Sequence, residues 1–364
     1  MWYLYLISVI ILISCCIVPV RNTIKPVKIK KLYLCKNLVL FHIVFITLLF
    51  LTAFRGSTIG NDTISYLQLF KNIVTQGILT ASRYEKGFQY FCLLVGKIST
   101  NPQAVIIVSS IFTYVLIGRY FKKRCYMPIF ALALFFGLFF SQFTNVIRHS
   151  MASVCLLYAY GSLEDKKNVK AVFFTVFAIS FQNTAICFIP YIIIRIFDIK
   201  FMPKTFAVVS MVTAVLSLSS AFIVNILIKV LGNFDEYYLR YLTGLRIETG
   251  TLGVSFSIMI LGIIFFFYFM STNKKSRLDN EKWAFGFSLL FFLLAFTMNL
   301  FDRVASYFEL MVIVPTVNKV SASQSRNRKF YLCCMTGCII VSFLVKVGLR
   351  PEWNNLYPYQ FCWN

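Results

Sequence analysis

An all-α polytopic integral membrane protein is the fold class this sequence predicts, and three observations predict it. Apolar residues make up 59% of the 364-residue chain, mean hydropathy is +0.76 and forty residues are Phe. A spanning helix needs roughly 20 apolar residues, and such stretches recur from end to end. No long polar region interrupts them, so residues 1–364 are expected to form a single transmembrane domain. A β-barrel would instead show short segments of alternating hydropathy.

About twelve transmembrane helices are predicted, near 1–20, 38–54, 103–120, 126–142, 150–163, 169–182, 185–197, 205–230, 252–271, 283–300, 304–320 and 330–348. The N-terminus, Met1-Trp2-Tyr3, lacks the basic start of a cleaved signal peptide, so the first span is expected to be retained. Segment 87–98 is apolar but has only twelve residues between Lys86 and Ser99. It is expected to be a re-entrant or interfacial helix, with its backbone covered by protein or water. The segments flanking Gln182 are also short and need not each cross the full bilayer.

The formal charge of +23 would suggest nucleic acid as a partner for a soluble protein. Here the basic residues lie in loops between spans: 21–36, 119–124, 166–170, 195–204, 274–282 and 319–329. This is the positive-inside pattern, which puts those six loops in the cytoplasm and both termini outside. No contiguous soluble basic domain exists to bind nucleic acid. The eleven Cys mostly lie in apolar spans, where Cys behaves as a small hydrophobe. Cys333, Cys334 and Cys338 match no zinc spacing. His42 reads as a span residue bonded to a neighbouring helix. No metal site is expected, and no phosphate-cradling loop or nucleotide fold signature occurs, which excludes an ATP motor in this chain.

Under this topology the outer segments are 55–86, 143–149, the turn at Gln182–Asn183, 232–251, 300–303 and 349–364. They are poor in basic residues yet carry selected charges, among them Arg55, Asp62, Arg83, Glu85, Arg148, Arg303 and Glu309. Charge at the edge of a bilayer is costly unless it has a function. The combination predicts an outward-facing, water-filled cavity, with loops 55–86 and 232–251 as its substrate elements. Arg suits a lipid diphosphate, because its planar fork donates two parallel hydrogen bonds and stays protonated. Arg55, Arg148 and Arg303 are the candidates, against the alternative of ordinary interfacial snorkelling. A carboxylate suits the task of accepting a proton from a hydroxyl. Asp62 and Glu85 are the candidates; Asp62 could instead cap the helix after it, and Glu85 could pair with Arg83 or Lys86. His149 could bind phosphate or shuttle a proton.

Four stretches in this order resemble the EpsG family of bacterial polysaccharide polymerases, a Wzy-type group. They are Arg55 through Tyr66 with Gly60, Asp62 and Thr63; Tyr84-Glu85-Lys86-Gly87-Phe88; Asn145-Val146-Ile147-Arg148; and Asp302-Arg303 through Tyr307-Phe308-Glu309. The tail Tyr357-Pro358-Tyr359 also fits. Two positions depart from the family: His149 stands where Gln is common, and Gln182 where His is common, and Gln cannot serve as a base.

The resemblance implies a GT-C-like, Wzy-type helical bundle in the bacterial cytoplasmic (inner) membrane. It implies a metal-independent glycosyltransferase without cofactor, which joins undecaprenyl-diphosphate-linked oligosaccharide repeat units into extracellular, capsular or O-antigen polysaccharide. Arg148, Arg303, Asp62 and Glu85 would be catalytic. Arg55, Tyr66, Arg83, His149, Gln182, Tyr307 and Glu309 would contact substrate. Membrane lipid, a chain-length regulator and a flippase are the implied partners. A lipid-linked glycan ligase would use the same chemistry. A precursor transporter would show internal repeats and charges at the bilayer midplane, which the sequence lacks.

Overall fold

The computed structural model describes residues 31–78, 84–218, 253, 255–264, 279–296, 300–323, 325–350, 353–356 and 358–363. The expected first span at 1–20, the loop 232–251 and Arg83 lie outside the described residues. Those described are built from helices, plus an isolated β-bridge between Arg55 and Phe361. The chain divides into two compact units. The first comprises Met1–Ala159, Val172–Ile186 and Ile313–Asn364; the second comprises Tyr160–Ala171 and Cys187–Val312.

The first unit contains α1 (Lys31–Ala53), α2 (Thr63–Gln76), α3 (Lys86–Gly96), α4 (Gln103–Arg124) and α5 (Pro128–Asn145). It also holds the start of α6 (Ile147–Glu164) and most of α7 (Asn168–Phe181). α4 and α5 are each long and apolar enough to cross a membrane, and α1 carries a shorter apolar stretch, Val39–Ala53. Pro128 starts α5, where its missing N–H costs nothing. α1 packs on α4 and α5, while α2 and α3 pack on each other and on α4. Phe41, Val44 and Leu48 are the buried face of α1; Val39, Ile43, Ile46 and Phe50 form an exposed apolar stripe suited to lipid. His42 is exposed on α1, its ring edge-on to Phe41.

Between apolar helices in lipid, hydroxyl-mediated bonds and close backbone approach replace the hydrophobic drive. Thr52 Oγ1 on α1 donates to Tyr114 Oη on α4 at 2.9 Å. Two later helices are α12 (Leu300–Ala322), whose end belongs to this unit, and α13 (Ser325–Leu344), which packs on α5. Ser342 Oγ on α13 donates to the Gly137 carbonyl at 3.0 Å.

Helices α4 and α5 carry the chain between two ends of this unit. Gln103 Nε2 donates to the carbonyls of Ala53 (3.0 Å) and Arg55 (3.1 Å) at one end. The 22 residues of α4, about 33 Å at 1.5 Å each, lead to Arg124, whose carbonyl accepts Asn318 Nδ2 at 2.8 Å. The helix expected near 87–98 is α3, with 11 residues. At about 16 Å it is half the hydrocarbon thickness of a bilayer, too short to cross.

The second unit contains α8 (Ile189–Ile196), α9 (Pro203–Leu218), α10 (Ser255–Ile264), α11 (Asp279–Leu294) and the first half of α12. Its core is aromatic: Phe287 stacks on Phe308 at 5.1 Å, and Phe291 and Tyr191 flank Phe308 at 5.7 and 5.9 Å. The short helices on either side of Gln182 are α7, with 14 residues, and α8, with 8, joined by a 3-10 turn at Asn183–Phe188.

Candidate functional site

The Glu85 carboxylate is placed by the start of α3. Its backbone carbonyl accepts the Gln89 N–H at 3.1 Å, and Gln89 Nε2 returns to the Tyr84 carbonyl at 2.7 Å. Gly87 then lies against the end of α7. A Cβ at that position would stand 2.5 Å from the Ser180 carbonyl oxygen, so only Gly allows this approach. Glu85 thereby reaches two donors. Its Oε1 accepts the Asn183 backbone N–H at 2.9 Å, and its Oε2 pairs with Arg148 Nη1. Glu85 meets a partner 63 residues away, while Arg83, one of the two neighbours the sequence offered it, lies outside the described residues.

Arg148 sits in the first turn of α6, just after Val146 breaks the path from α5. Its guanidinium lies over the Tyr84 ring, 4.7 Å from the centroid, a favourable cation–π contact. Tyr66 is a further hydrogen-bonding partner. The side chains of Arg148 and Glu85 are 12% and 7% exposed. Arg148 Nε, a donor, and Gln182 Oε1, an acceptor on the residue before Asn183, are buried without a partner among the described residues. A buried polar group left unmatched costs about 1–3 kcal/mol.

Asp62 is placed by a turn that needs glycine. Gly60 has φ +85°, and a Cβ there would stand 3.0 Å from Thr63 Oγ1 and 3.1 Å from Asn145 Cα. The Asp62 backbone N–H donates to Asn145 Oδ1 at 3.1 Å. Asp62 precedes α2 but makes no side-chain cap bond, and its half-buried carboxylate has no ion pair among the described residues. The capping alternative therefore falls away, and this carboxylate is uncommitted among the described residues.

Arg55 is fully buried. Its Nη1 donates to the Thr52 carbonyl at 2.7 Å and its Nε to Thr63 Oγ1 at 3.4 Å, while Nη2 has no acceptor. Burial pushes its pKa down to about 10, with Tyr359, Tyr114 and Tyr66 opposing the shift. It stays a cation at neutral pH.

Tyr66 is buried on α2, with its ring near Tyr84. His149 is fully buried beside Arg148, edge-on to Phe143. Arg55, Asp62, Tyr66, Glu85, Arg148, His149 and Gln182 all belong to the first unit. Arg303, Tyr307 and Glu309 belong to the second, on α12. Arg303 is half-buried there, and Tyr307 and Glu309 are buried. Arg303 and Tyr307 are four residues apart and share a helix face, while Glu309 turns away. Tyr84 and Asn145, which stood in two of the family-like stretches without an assigned role, also belong to this site.

Among the described residues, no group of three or more His, Cys, Asp or Glu gathers that could hold a metal ion. A sequence model described as the EpsG family matches residues 38–361, nearly the whole chain. No curated protein and no solved structure was found to match.

Proposed function

Since the chain belongs to the EpsG family, which gives it a general role in polysaccharide biosynthesis, we propose that it polymerises undecaprenyl-diphosphate-linked repeat units. The reaction would run on the outer side of the bacterial cytoplasmic membrane and yield extracellular, capsular or O-antigen polysaccharide. One observation carries this reading: a nearly buried Arg–carboxylate pair flanked by an unmatched donor and an unmatched acceptor. A diphosphate supplies the acceptor that Arg148 Nε lacks, and a sugar hydroxyl supplies the donor that Gln182 Oε1 lacks.

In the step proposed, the glycosidic C–O bond to the diphosphate of the growing chain breaks. A new C–O bond forms to a hydroxyl at the nonreducing end of a second lipid-linked unit. The hydroxyl proton goes to a carboxylate, and undecaprenyl diphosphate leaves. Arg148 stabilises the charge that develops on the leaving group. Asp62 is the better base, because its carboxylate is uncommitted while Glu85 is held by Arg148 and Asn183. Glu85 keeps Arg148 oriented before substrate arrives.

Deletion in the native bacterium, with polymer length read on a gel, tests the reading. Single lipid-linked repeats should accumulate, and only the wild-type gene should restore long chains. R148A should lower the polymerisation rate about 10²–10³-fold. R148K, which keeps the charge but loses the fork, should recover little of it. Long polymer after deletion, in a host with no second polymerase, sinks the proposal. Glycan attached to a different acceptor would redirect it to a ligase.

A further inference from the structure

Residues 353–356 and 358–362 run against the loop that follows α1. Around the Arg55–Phe361 bridge, the Gly56 N–H donates to the Gln360 carbonyl at 2.8 Å and the Cys362 N–H to the Phe54 carbonyl at 3.0 Å. Further along, the Gly60 N–H donates to the Asn355 carbonyl at 3.1 Å, and Asn355 Nδ2 to the Thr58 carbonyl at 3.2 Å. Asn61 Nδ2 donates to the Trp353 carbonyl at 3.3 Å, and Thr58 Oγ1 to Gln360 Oε1 at 2.9 Å. Leu356 and Tyr359 are buried, and the Tyr359 hydroxyl donates to the Leu51 carbonyl. Finally, Asn145 Nδ2 donates to Asn354 Oδ1 at 3.3 Å, and the other end of the same amide accepts the Asp62 N–H.

We propose that residues 353–356 and 358–362 form a fixed strap that positions the Asp62 loop against the α5–α6 junction, with Asn145 and Asn354 as its positioning residues. The loop's own bonds are few: Ile59 N–H to Gly56 O and Thr63 N–H to Gly60 O at 3.2 Å each, the Thr63 hydroxyl to the Ile59 carbonyl, and Arg55 Nε to that hydroxyl at 3.4 Å. Segments with so little internal bonding open readily, and the strap supplies what is missing. Asn145 stands three residues before Arg148, so the chain of amides from Asn354 to Asp62 fixes the carboxylate relative to the helix that carries the arginine. Misplacing a reacting group by about 1 Å can cost about 10²-fold in rate. A lid that opened on each turnover would have to break the bridge and extract Tyr359 and Leu356, and for that reason the segment is assigned as a strap. The catalytic consequence rests on the polymerase reading; the pairing of the segments does not.

The test uses the full-length chain in membranes. Phe54 and Cys362 lie opposite each other beside the antiparallel Arg55–Phe361 bridge, joined by the Cys362 N–H to the Phe54 carbonyl, and the Cα atoms of residues so opposed are about 4.5–5.5 Å apart, within reach of a disulfide. Phe54→Cys should therefore crosslink to the native Cys362 under mild oxidant, as identified by peptide mapping. Polymerisation of lipid-linked repeat units should continue at an unchanged rate in the crosslinked protein. Activity lost on oxidation and regained with reductant would make the segment a lid and overturn the strap. Absence of the crosslink would overturn the pairing itself.

The second measurement isolates positioning. Asn354→Asp keeps an acceptor for Asn145 and should keep kcat. Asn354→Leu removes it and should lower kcat about tenfold to a hundredfold, with KM for the lipid-linked unit unchanged. Wild-type kcat in Asn354→Leu would refute the positioning role. If the wild-type protein polymerises nothing, the polymerase reading fails, while crosslinking still reports on the strap.

Discussion

The two ends of the first unit treat positive charge in opposite ways. At the end where α4 finishes, Lys122, Lys123 and Lys329 are exposed. The connection there is fixed by a neutral residue, since Asn318 donates to the Arg124 carbonyl and accepts the Tyr126 N–H, both at 2.8 Å. At the end where α1 finishes, Arg55 is fully buried and Arg148 nearly so, each bound to particular protein atoms. Exposed lysines of this kind are what the positive-inside rule counts, by number and sign. Charges at the second act through geometry.

The contrast can be broken at several points. The largest effect on stability belongs to E85A, which leaves the Arg148 cation buried without its carboxylate. Removing one partner of a buried pair costs about 3–5 kcal/mol, measurable as thermal unfolding in detergent. An E85A protein as stable as wild type would mean that the pair holds nothing together. G87A comes next. Its methyl group would meet the Ser180 backbone, and overpacking of this kind costs about 1–3 kcal/mol. Because Ser180 precedes the Asn183 N–H, G87A should also weaken the hold on Glu85 and lower polymer yield. T63V removes the hydroxyl that accepts Arg55 Nε and donates to the Ile59 carbonyl, a loss of about 0.5–1.5 kcal/mol. At the other end, K122Q and K123Q should each change stability by less than about 0.5 kcal/mol and leave polymer length unaltered. A large effect from either would show that position, and not only sign, matters there too.

Much of the architecture was legible in the sequence. Among the described residues, hydropathy located the apolar helices to within about seven residues, and α3 was recognisable as too short to cross, but only α4 and α5 are both long and apolar enough to span. Charges at the ends of apolar stretches singled out Arg55, Asp62, Glu85 and Arg148. What the sequence did not disclose is who pairs with whom. Glu85 meets Arg148 across 63 residues, and such pairing leaves no periodic trace along the chain. Snorkelling favours an interfacial Arg55, but the Thr52 carbonyl and the Thr63 hydroxyl draw its side chain inward, among Tyr66, Tyr114 and Tyr359. Arg303 and Glu309 share α12, but six residues at 100° each leave them about 120° apart around it.

The strap has a consequence for the timing of synthesis. Thr58 and its partner Gln360 are 302 residues apart, and at about 5–20 residues per second the ribosome needs some 15–60 seconds to join them. Throughout that interval the helices on either side can insert and pack, yet the loop bearing Asp62 has nothing to close it. A nascent or prematurely terminated chain would thus occupy the bilayer without a finished site. A finished site would arrive late and all at once, when the strap emerges and docks.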